Sequence, residues 1–301
     1  MLDNIINKIH CSDNVKFCKE NIPNDSIDLI ITSPPYGQLR DYKGYGWNFY
    51  ELAHEIYRIL KPGGVLVWIV NDQTVNGSQT MDSIRQMLYF VDEVGFMMNQ
   101  VMWYGKIAPQ PVPKTHKKYM SSLEYMPVMC KEIGPKTFNP IMVKSKWGGL
   151  VGTSGFRQKN GEVRPTDILT INDEKVKENI WYLDEELSTP EIWYYNTGFN
   201  QTTKDKFAFE HPAMFPEQLA RDHIMCWTNP GDIVFDPFNG AGTTSKVAMM
   251  LERNYIGTDL SEDYCNIARK RIELYSTPLF KNENDDNNNL EMDLFNETEN
   301  N

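Results

Sequence analysis

Hydrophobic and polar positions along this chain follow two rhythms, one of strands and one of helices. The run Ser26-Ile27-Asp28-Leu29-Ile30-Ile31-Thr32 is rich in β-branched residues and stops at Pro34-Pro35, which predicts a buried strand ending in a rigid loop. Residues 48–61 place Phe49, Leu52, Ile56, Ile59 and Leu60 at helical spacing, and Lys61-Pro62-Gly63-Gly64 stops that helix. Val65-Leu66-Val67-Trp68-Ile69-Val70 predicts a second buried strand, followed by a helix around 82–94 and a strand around 97–104. After residue 205 the alternation resumes. A helix follows Pro216, then come the strand Asp232–Asp236, a Gly-rich turn, a helix over 243–251, the strand Tyr255–Thr258 and a helix over 262–275. Strands alternating with helices predict an α/β fold around a mostly parallel, doubly wound, Rossmann-like sheet.

Between about 106 and 205 the rhythm breaks into a stretch rich in Lys, Gly, Pro, Asn and Thr, with interspersed aromatic residues. It reads as an inserted module with long loops. Trp147, Phe156, Trp181, Trp193, Tyr194 and Tyr195 could form a small core of its own. Beyond Pro278 an Asn/Asp/Glu-rich tail is expected to be disordered. The predicted organisation is therefore four segments: 1–105, 106–205, 206–278 and 279–301.

Composition changes this picture only in places. The 301 residues, with 41% hydrophobic and 24% charged, suit one large domain or a domain with an insertion. No apolar run reaches the roughly 20 residues of a membrane helix, and Met1-Leu2-Asp3-Asn4 lacks a signal-peptide pattern. The expected location is the cytoplasm. Five cysteines without a CxxC pair read as reduced, mostly buried thiols. No metal site is expected, because His10, His54, His116, His211 and His223 form no ligand-spaced cluster.

The formal net charge of −11 argues against nucleic-acid binding until its distribution is considered. Residues 281–301 hold seven acids against Lys281. Residues 106–166 hold eleven bases and three acids, a balance of +8. An acidic protein with one concentrated basic segment can bind a polyanion there, although a lysine-rich solvated loop has the same composition.

Two motifs carry candidate chemistry. Asp236-Pro237-Phe238-Asn239-Gly240-Ala241-Gly242-Thr243-Thr244 follows a strand and opens a helix. Its glycines allow close backbone approach, and a helix N-terminus offers free N–H groups to a carboxylate. The next strand ends at Asp259, placed as a ribose-binding acid is in nucleotide-binding sheets. A simple strand-to-helix connection would look the same on the turn alone. The pair implies a ligand with a nucleoside and a charged tail, a description S-adenosylmethionine meets.

The second motif, Thr32-Ser33-Pro34-Pro35-Tyr36-Gly37, ends the first strand. The Ser33 hydroxyl and Pro34 carbonyl can accept two N–H groups, Pro35 helps fix the loop, and Tyr36 offers a flat face. An exocyclic base amine is a poor nucleophile, because its lone pair is delocalised. Two acceptors on its N–H groups would turn the lone pair towards an electrophilic methyl. A base in a duplex must be flipped out to be reached, and an aromatic face would then hold it. The bland alternative is a proline-rich turn.

Together, Ser33-Pro34-Pro35-Tyr36 and Phe238-Asn239-Gly240-Ala241-Gly242 resemble the catalytic S/D/N-P-P-Y/F and cofactor FxGxG motifs of the amino-methylating DNA methyltransferases. The catalytic motif lies about 200 residues before the cofactor motif, which resembles the circularly permuted β group, whose target-recognition module lies between them. The resemblance implies a site-specific DNA methyltransferase that uses S-adenosylmethionine and contacts double-stranded DNA through 106–166, at the nucleoid. It implies Asp13 near the cofactor adenine, His211 and Phe215 lining the methionine end, and Asp236, Phe238, Gly240, Gly242, Thr243 and Asp259 as further cofactor-binding residues. Ser33 after Thr32 resembles the cytosine-N4 enzymes, whereas Asp is usual among the adenine-N6 enzymes; adenine N6 is the alternative, since adenine enzymes with Ser also occur in the family. A C5-cytosine mechanism lacks a cysteine after a proline. An inactive DNA-binding module conflicts with the intact Ser33–Tyr36 loop, and an RNA substrate conflicts with the motif order. His211 could equally be a packed core histidine. In the tail, Glu291-Met292-Asp293-Leu294-Phe295 resembles the peptide by which bacterial DNA-processing proteins bind the sliding clamp, with Met292, Leu294 and Phe295 as the apolar contacts and Glu291 in place of the usual Gln. The same patch could pack on the protein's own surface.

Overall fold

The computed structural model describes residues 2–35, 47–106, 121–139, 143–144, 162–163, 192–198, 201–211 and 213–276. Tyr36, Lys114, Lys117, Lys118 and the tail residues Met292, Leu294 and Phe295 lie outside them.

Eight strands form one sheet: β1 Lys8–Cys11, β2 Ile27–Thr32, β3 Leu60–Trp68, β4 Phe96–Lys106, β5 Leu123–Lys131, β6 Ile192–Tyr195, β7 Ile233–Asp236 and β8 Asn254–Asp259. Their spatial order is β1-β8-β7-β2-β3-β5-β4-β6. All neighbours are parallel except where β5 runs against β3 and β4. Among the described residues, six α-helices accompany them: α1 Asn14–Asn21, α2 Phe49–Ile59, α3 Asp82–Tyr89, α4 Glu217–Trp227, α5 Thr243–Met250 and α6 Glu262–Ser276.

The strands read as continuous apolar runs because both faces are covered. Leu29, Ile31, Val65, Val67 and Val234 point to one face and meet Leu219, Ile224, Val247 and Ala268 of α4, α5 and α6. Ile30, Leu66, Trp68 and Phe235 point to the other and meet Phe17, Leu52 and Ile56 of α1 and α2. At about 25 cal/mol per Å² of apolar surface, such two-sided burial is the main stabilising contribution.

Two strands from within the 106–205 segment join the main sheet. β5, fully inside that segment, lies between β3 and β4 deep in the sheet, and β6 closes the far edge. Trp193 and Tyr195 therefore belong to the main core and not to a separate one. Trp193 stacks on His223, with centroids 4.9 Å apart, and the Tyr195 hydroxyl donates to Asp222 at 2.9 Å. Part of the basic segment is likewise structural. Lys106 pairs with Glu124. Lys131 is buried and pairs with Asp25 at 2.6 Å. These two lysines are held in ion pairs with the protein's own acids, which reduces the charge the segment offers to a polyanion.

Candidate active site

Parallel strands deliver their carboxyl ends to one edge, and a crevice opens there where the winding reverses. In this sheet β7 leads through α5 to β8 on one side, while β2 leads through α2 to β3 on the other. The reversal falls between β7 and β2, which are neighbours. These are the two strands that end in the Gly-rich turn and in Thr32-Ser33-Pro34-Pro35. The two motifs, about 200 residues apart in sequence, thus meet at the switch point.

A buried carboxylate ties them together. Thr32 Oγ1 donates to Asp236 Oδ1 at 2.6 Å, the Phe238 N–H donates to the same oxygen at 3.0 Å, and Thr244 Oγ1 donates to Oδ2 at 2.8 Å. Asp236 is only 2% exposed. Burial pushes its carboxyl up to about 6 against the three hydrogen bonds, which favour the charged form. Asp236 thereby fastens the Gly-rich turn to the strand end that leads into the proline loop. Beside the turn, Ser33 and Pro35 are partly exposed and Pro34 is buried.

The rest of the edge is assembled from several chain segments. The Ser12 N–H donates to the Asp259 carbonyl at 2.9 Å, and Asn14 Nδ2 donates to the Pro237 carbonyl at 3.3 Å. These bonds bring the start of α1, with Asp13, against both β7 and β8. Asp13 itself caps α1, accepting the Lys16 N–H at 2.8 Å. Asp259 accepts the Gly240 N–H at 2.9 Å and the Ser261 N–H at 2.8 Å, and burial raises its carboxyl above the usual range. A carboxylate has about four acceptor sites, so the residue retains capacity for a further hydroxyl donor. Phe238 forms an aromatic wall with Trp47 and Trp68, at centroid distances of 4.9 and 6.4 Å. Sequence reasoning did not single out Trp47.

Other predicted residues act on the turn from behind. At Gly240, φ is +46° and a Cβ would sit 2.7 Å from His211 Nε2. His211 is packed beneath the turn, edge-on to Tyr264 at 4.3 Å, and its Nδ1 accepts the Ala213 N–H at 3.2 Å. Phe215 is partly buried against the core face of α4, α5 and α6. Gly242, with φ +78°, faces α6, where a Cβ would meet Ala268 Cβ at 2.7 Å. Its lack of a side chain is therefore required by the packing of α6 against the turn. Thr243 is also buried, with its hydroxyl 3.3 Å from Arg271 Nη1.

Arg271 belongs to a buried ionic cluster that no sequence pattern announced. Its guanidinium donates to Asp205 Oδ2 at 2.8 Å, to Glu217 and to the Ala241 carbonyl at 2.8 Å. Lys246 Nζ lies 2.9 Å from both Asp205 and Glu217, and Tyr275 OH donates to Asp205 at 2.8 Å. Two cations and two anions balance, and the cations hold the Asp205 carboxyl below its usual range despite burial. The cluster locks α4, α5, α6 and the segment before His211 around the Gly-rich turn.

The edge suits a nucleoside with a charged tail. It combines an acid at the end of β8, an aromatic wall at Phe238 and Trp47, and a turn that admits no Cβ. The side chain of Asn239 is buried at the turn, where its Nδ2 has no partner among the described residues and its Oδ1 accepts from Ser245.

Comparison with known proteins agrees with this geometry. The model of the N6/N4 DNA methylase family matches residues 27–270. Orphan methyltransferase M.BamHII of Bacillus amyloliquefaciens is 45% identical over 259 residues, covering 85% of this chain and 92% of that protein. DNA adenine methyltransferase YhdJ of Escherichia coli (strain K12) is 26% identical over 269 residues, covering 85% and 80%. PvuII DNA methyltransferase (cytosine-N4-specific) shares the fold, with a TM-score of 0.61 at 21% identity over 87% of this chain and 85% of that one. A complex of M1.HpyAVI with SAM shares it too, with a TM-score of 0.54 at 22% identity over 88% and 98%. Fold and site together define a Rossmann-like methyltransferase. More narrowly, the chain belongs to the N6/N4 DNA methylase family.

Proposed function

We propose that the chain transfers a methyl group from S-adenosylmethionine to cytosine N4 of a base flipped out of duplex DNA. The observation that carries this reading is the junction of the two motifs, Thr32-Ser33-Pro34-Pro35 and Asp236–Thr244, through the 2.6 Å Thr32–Asp236 hydrogen bond. Asp259, Phe238 and the turn at Gly240 would hold the cofactor, with Asp13 at the rim; bound there, it supplies an electrophilic methyl group. Ser33 Oγ and the Pro34 carbonyl would accept the two amine N–H groups and aim the nitrogen lone pair. The cofactor would leave as S-adenosylhomocysteine once its methyl is on the nitrogen, and the amine proton held at Ser33 Oγ or the Pro34 carbonyl would pass to solvent. The stacking role falls to Tyr36. DNA would be held by the remaining lysines and arginines of 106–166. Serine at position 33 favours cytosine. The similarity to an adenine methyltransferase supports N6 of adenine as the second reading. Mass spectrometry of nucleosides from duplex DNA methylated by the purified protein tests both. N4-methylcytosine is expected, N6-methyladenine alone overturns the choice of base, and no methylated nucleoside overturns the activity.

A further inference from the structure

The carboxyl end of β3 carries a feature that the proposed transfer does not use. β3 runs beside β2, and the Ile69 N–H donates to the Thr32 carbonyl at 2.9 Å, one residue before Ser33. After a single bridge between Val70 and Tyr125, the chain turns outwards into a hairpin. Thr74 pairs with Gln79 and Val75 with Ser78. The two residues between them, Asn76 and Gly77, have φ of +51° and +82°. Two left-handed residues with the sequence Asn-Gly make the tight turn whose twist matches a two-stranded ribbon.

The neck of this ribbon is pinned. Asp72 accepts the Ser83 N–H at 3.0 Å and the Ser83 hydroxyl at 2.7 Å. The Thr80 N–H donates to the Gln73 carbonyl at 3.0 Å, and Arg85 donates to the Thr80 carbonyl. Beyond the neck, all six residues from 74 to 79 are exposed. An isolated hairpin is at best marginally stable in water, so its hold on the body of the protein matters.

Its composition is one-sided. Residues 73–81 contain no charged side chain, although 24% of the whole chain is charged. Gln73, Asn76 and Gln79 carry amides, and Thr74, Ser78 and Thr80 carry hydroxyls. These groups both donate and accept, as the edges of base pairs require, while the methyl groups of Thr74 and Val75 suit a thymine methyl. Without Lys or Arg the ribbon is no phosphate clamp, and without Asp or Glu it is not repelled by phosphates. A two-stranded ribbon fits the major groove, about 12 Å wide. The four steps from Val70 to Thr74 give a reach of at most about 14 Å, or roughly four base-pair steps of about 3.4 Å.

We propose that the hairpin Gln73–Thr80 reads base edges in the major groove beside the flipped target base and specifies one or two flanking base pairs. The proposal rests on the DNA methyltransferase reading, and the experiment separates the two. A duplex library randomised around the target base is methylated by wild type, by Thr74→Ala/Gln79→Ala and by Val75→Ala/Ser78→Ala, and relative rates at every position come from sequencing. The two variants alter opposite faces of an exposed ribbon, and thermal melting with S-adenosylmethionine checks that both stay folded and bind cofactor. Absence of methylation by wild type would sink the parent reading. If wild type is active, at least one variant is expected to lose about fivefold or more discrimination at one or two flanking positions, the equivalent of about 1 kcal/mol, while methylating the same base. Unchanged discrimination in both variants, or a loss equal for all sequences, overturns the proposal.

Discussion

The two sides of the active edge are built from different materials. On the β7 side, the Gly-rich turn rests on polar and charged groups: Asp236, Asp259 and the cluster of Asp205, Glu217, Lys246 and Arg271. On the β2 side, Ser33-Pro34-Pro35 is stiffened by its prolines and carried by an apolar strand, in which Leu29, Ile30 and Ile31 are all fully buried. The difference teaches where tolerance lies. A buried ion cluster fails sharply when one member is lost, because the remaining charges are stranded. A proline loop on an apolar strand depends on few individual bonds, so its polar groups can change with little cost in stability.

The largest effect on folding is expected from Arg271→Met. It strands Asp205 and Glu217 with one cation and frees the Ala241 carbonyl, for a loss of about 3–5 kcal/mol. Urea denaturation measures this. A loss under about 1 kcal/mol would show that the cluster does not support the turn, and Arg271→Lys should fall between.

Asp236 gives the comparison a pH dependence. Its folded-state value of about 6 lies above the unfolded value of about 3.9. The folded state therefore binds this proton more tightly, and the group's contribution to stability falls as pH rises from about 4 to about 6. The total is on the order of 3 kcal/mol. Asp236→Asn should remove that fall, so the stability of the variant relative to wild type should rise between about pH 4 and about pH 7. Denaturation curves at about pH 4.5, 5.5 and 7 decide; a parallel pH response in the two proteins contradicts the assignment.

The two glycines should separate stability from binding. Gly242→Ala forces a Cβ against Ala268 at a positive φ and should cost about 1–3 kcal/mol. Gly240→Ala pushes on the His211 ring, which can shift, so its stability loss should be smaller. Its S-adenosylmethionine affinity should fall at least about tenfold by calorimetry. The reverse ranking would place the ligand on the α6 side of the turn.

Ser33→Ala should change stability least, by less than about 0.5 kcal/mol, yet slow turnover by about 100-fold or more. A variant that unfolds, or one that turns over normally, breaks the contrast between the two sides.

Much of this edge was legible in the sequence. The β-branched runs at 27–31 and 65–70, the Asp236–Thr244 turn and the acid at 259 announced strands and their ends locally, because a strand buried on both faces must be apolar along its length. Helix starts and stops were likewise close, since caps and Pro/Gly breakers act within a few residues. Roles within the motifs were less legible. A string of residues does not show that Asp236 accepts from the hydroxyls of Thr32 and Thr244, or that the Cβ position of Gly242 faces Ala268.

By itself, then, the sequence determined a doubly wound sheet and two motifs at the ends of its strands, through local periodicity and turn chemistry. Only the tertiary structure decided that β5 and β6 enter the sheet from within the apparent insertion. It alone joined Asp205, Glu217, Lys246 and Arg271, which are spread over 66 residues, and placed the uncharged hairpin after the strand end that lies beside Ser33. The physical reason is that strand partners and buried charge partners are fixed by contacts between distant segments, and no local pattern specifies which charge will meet which.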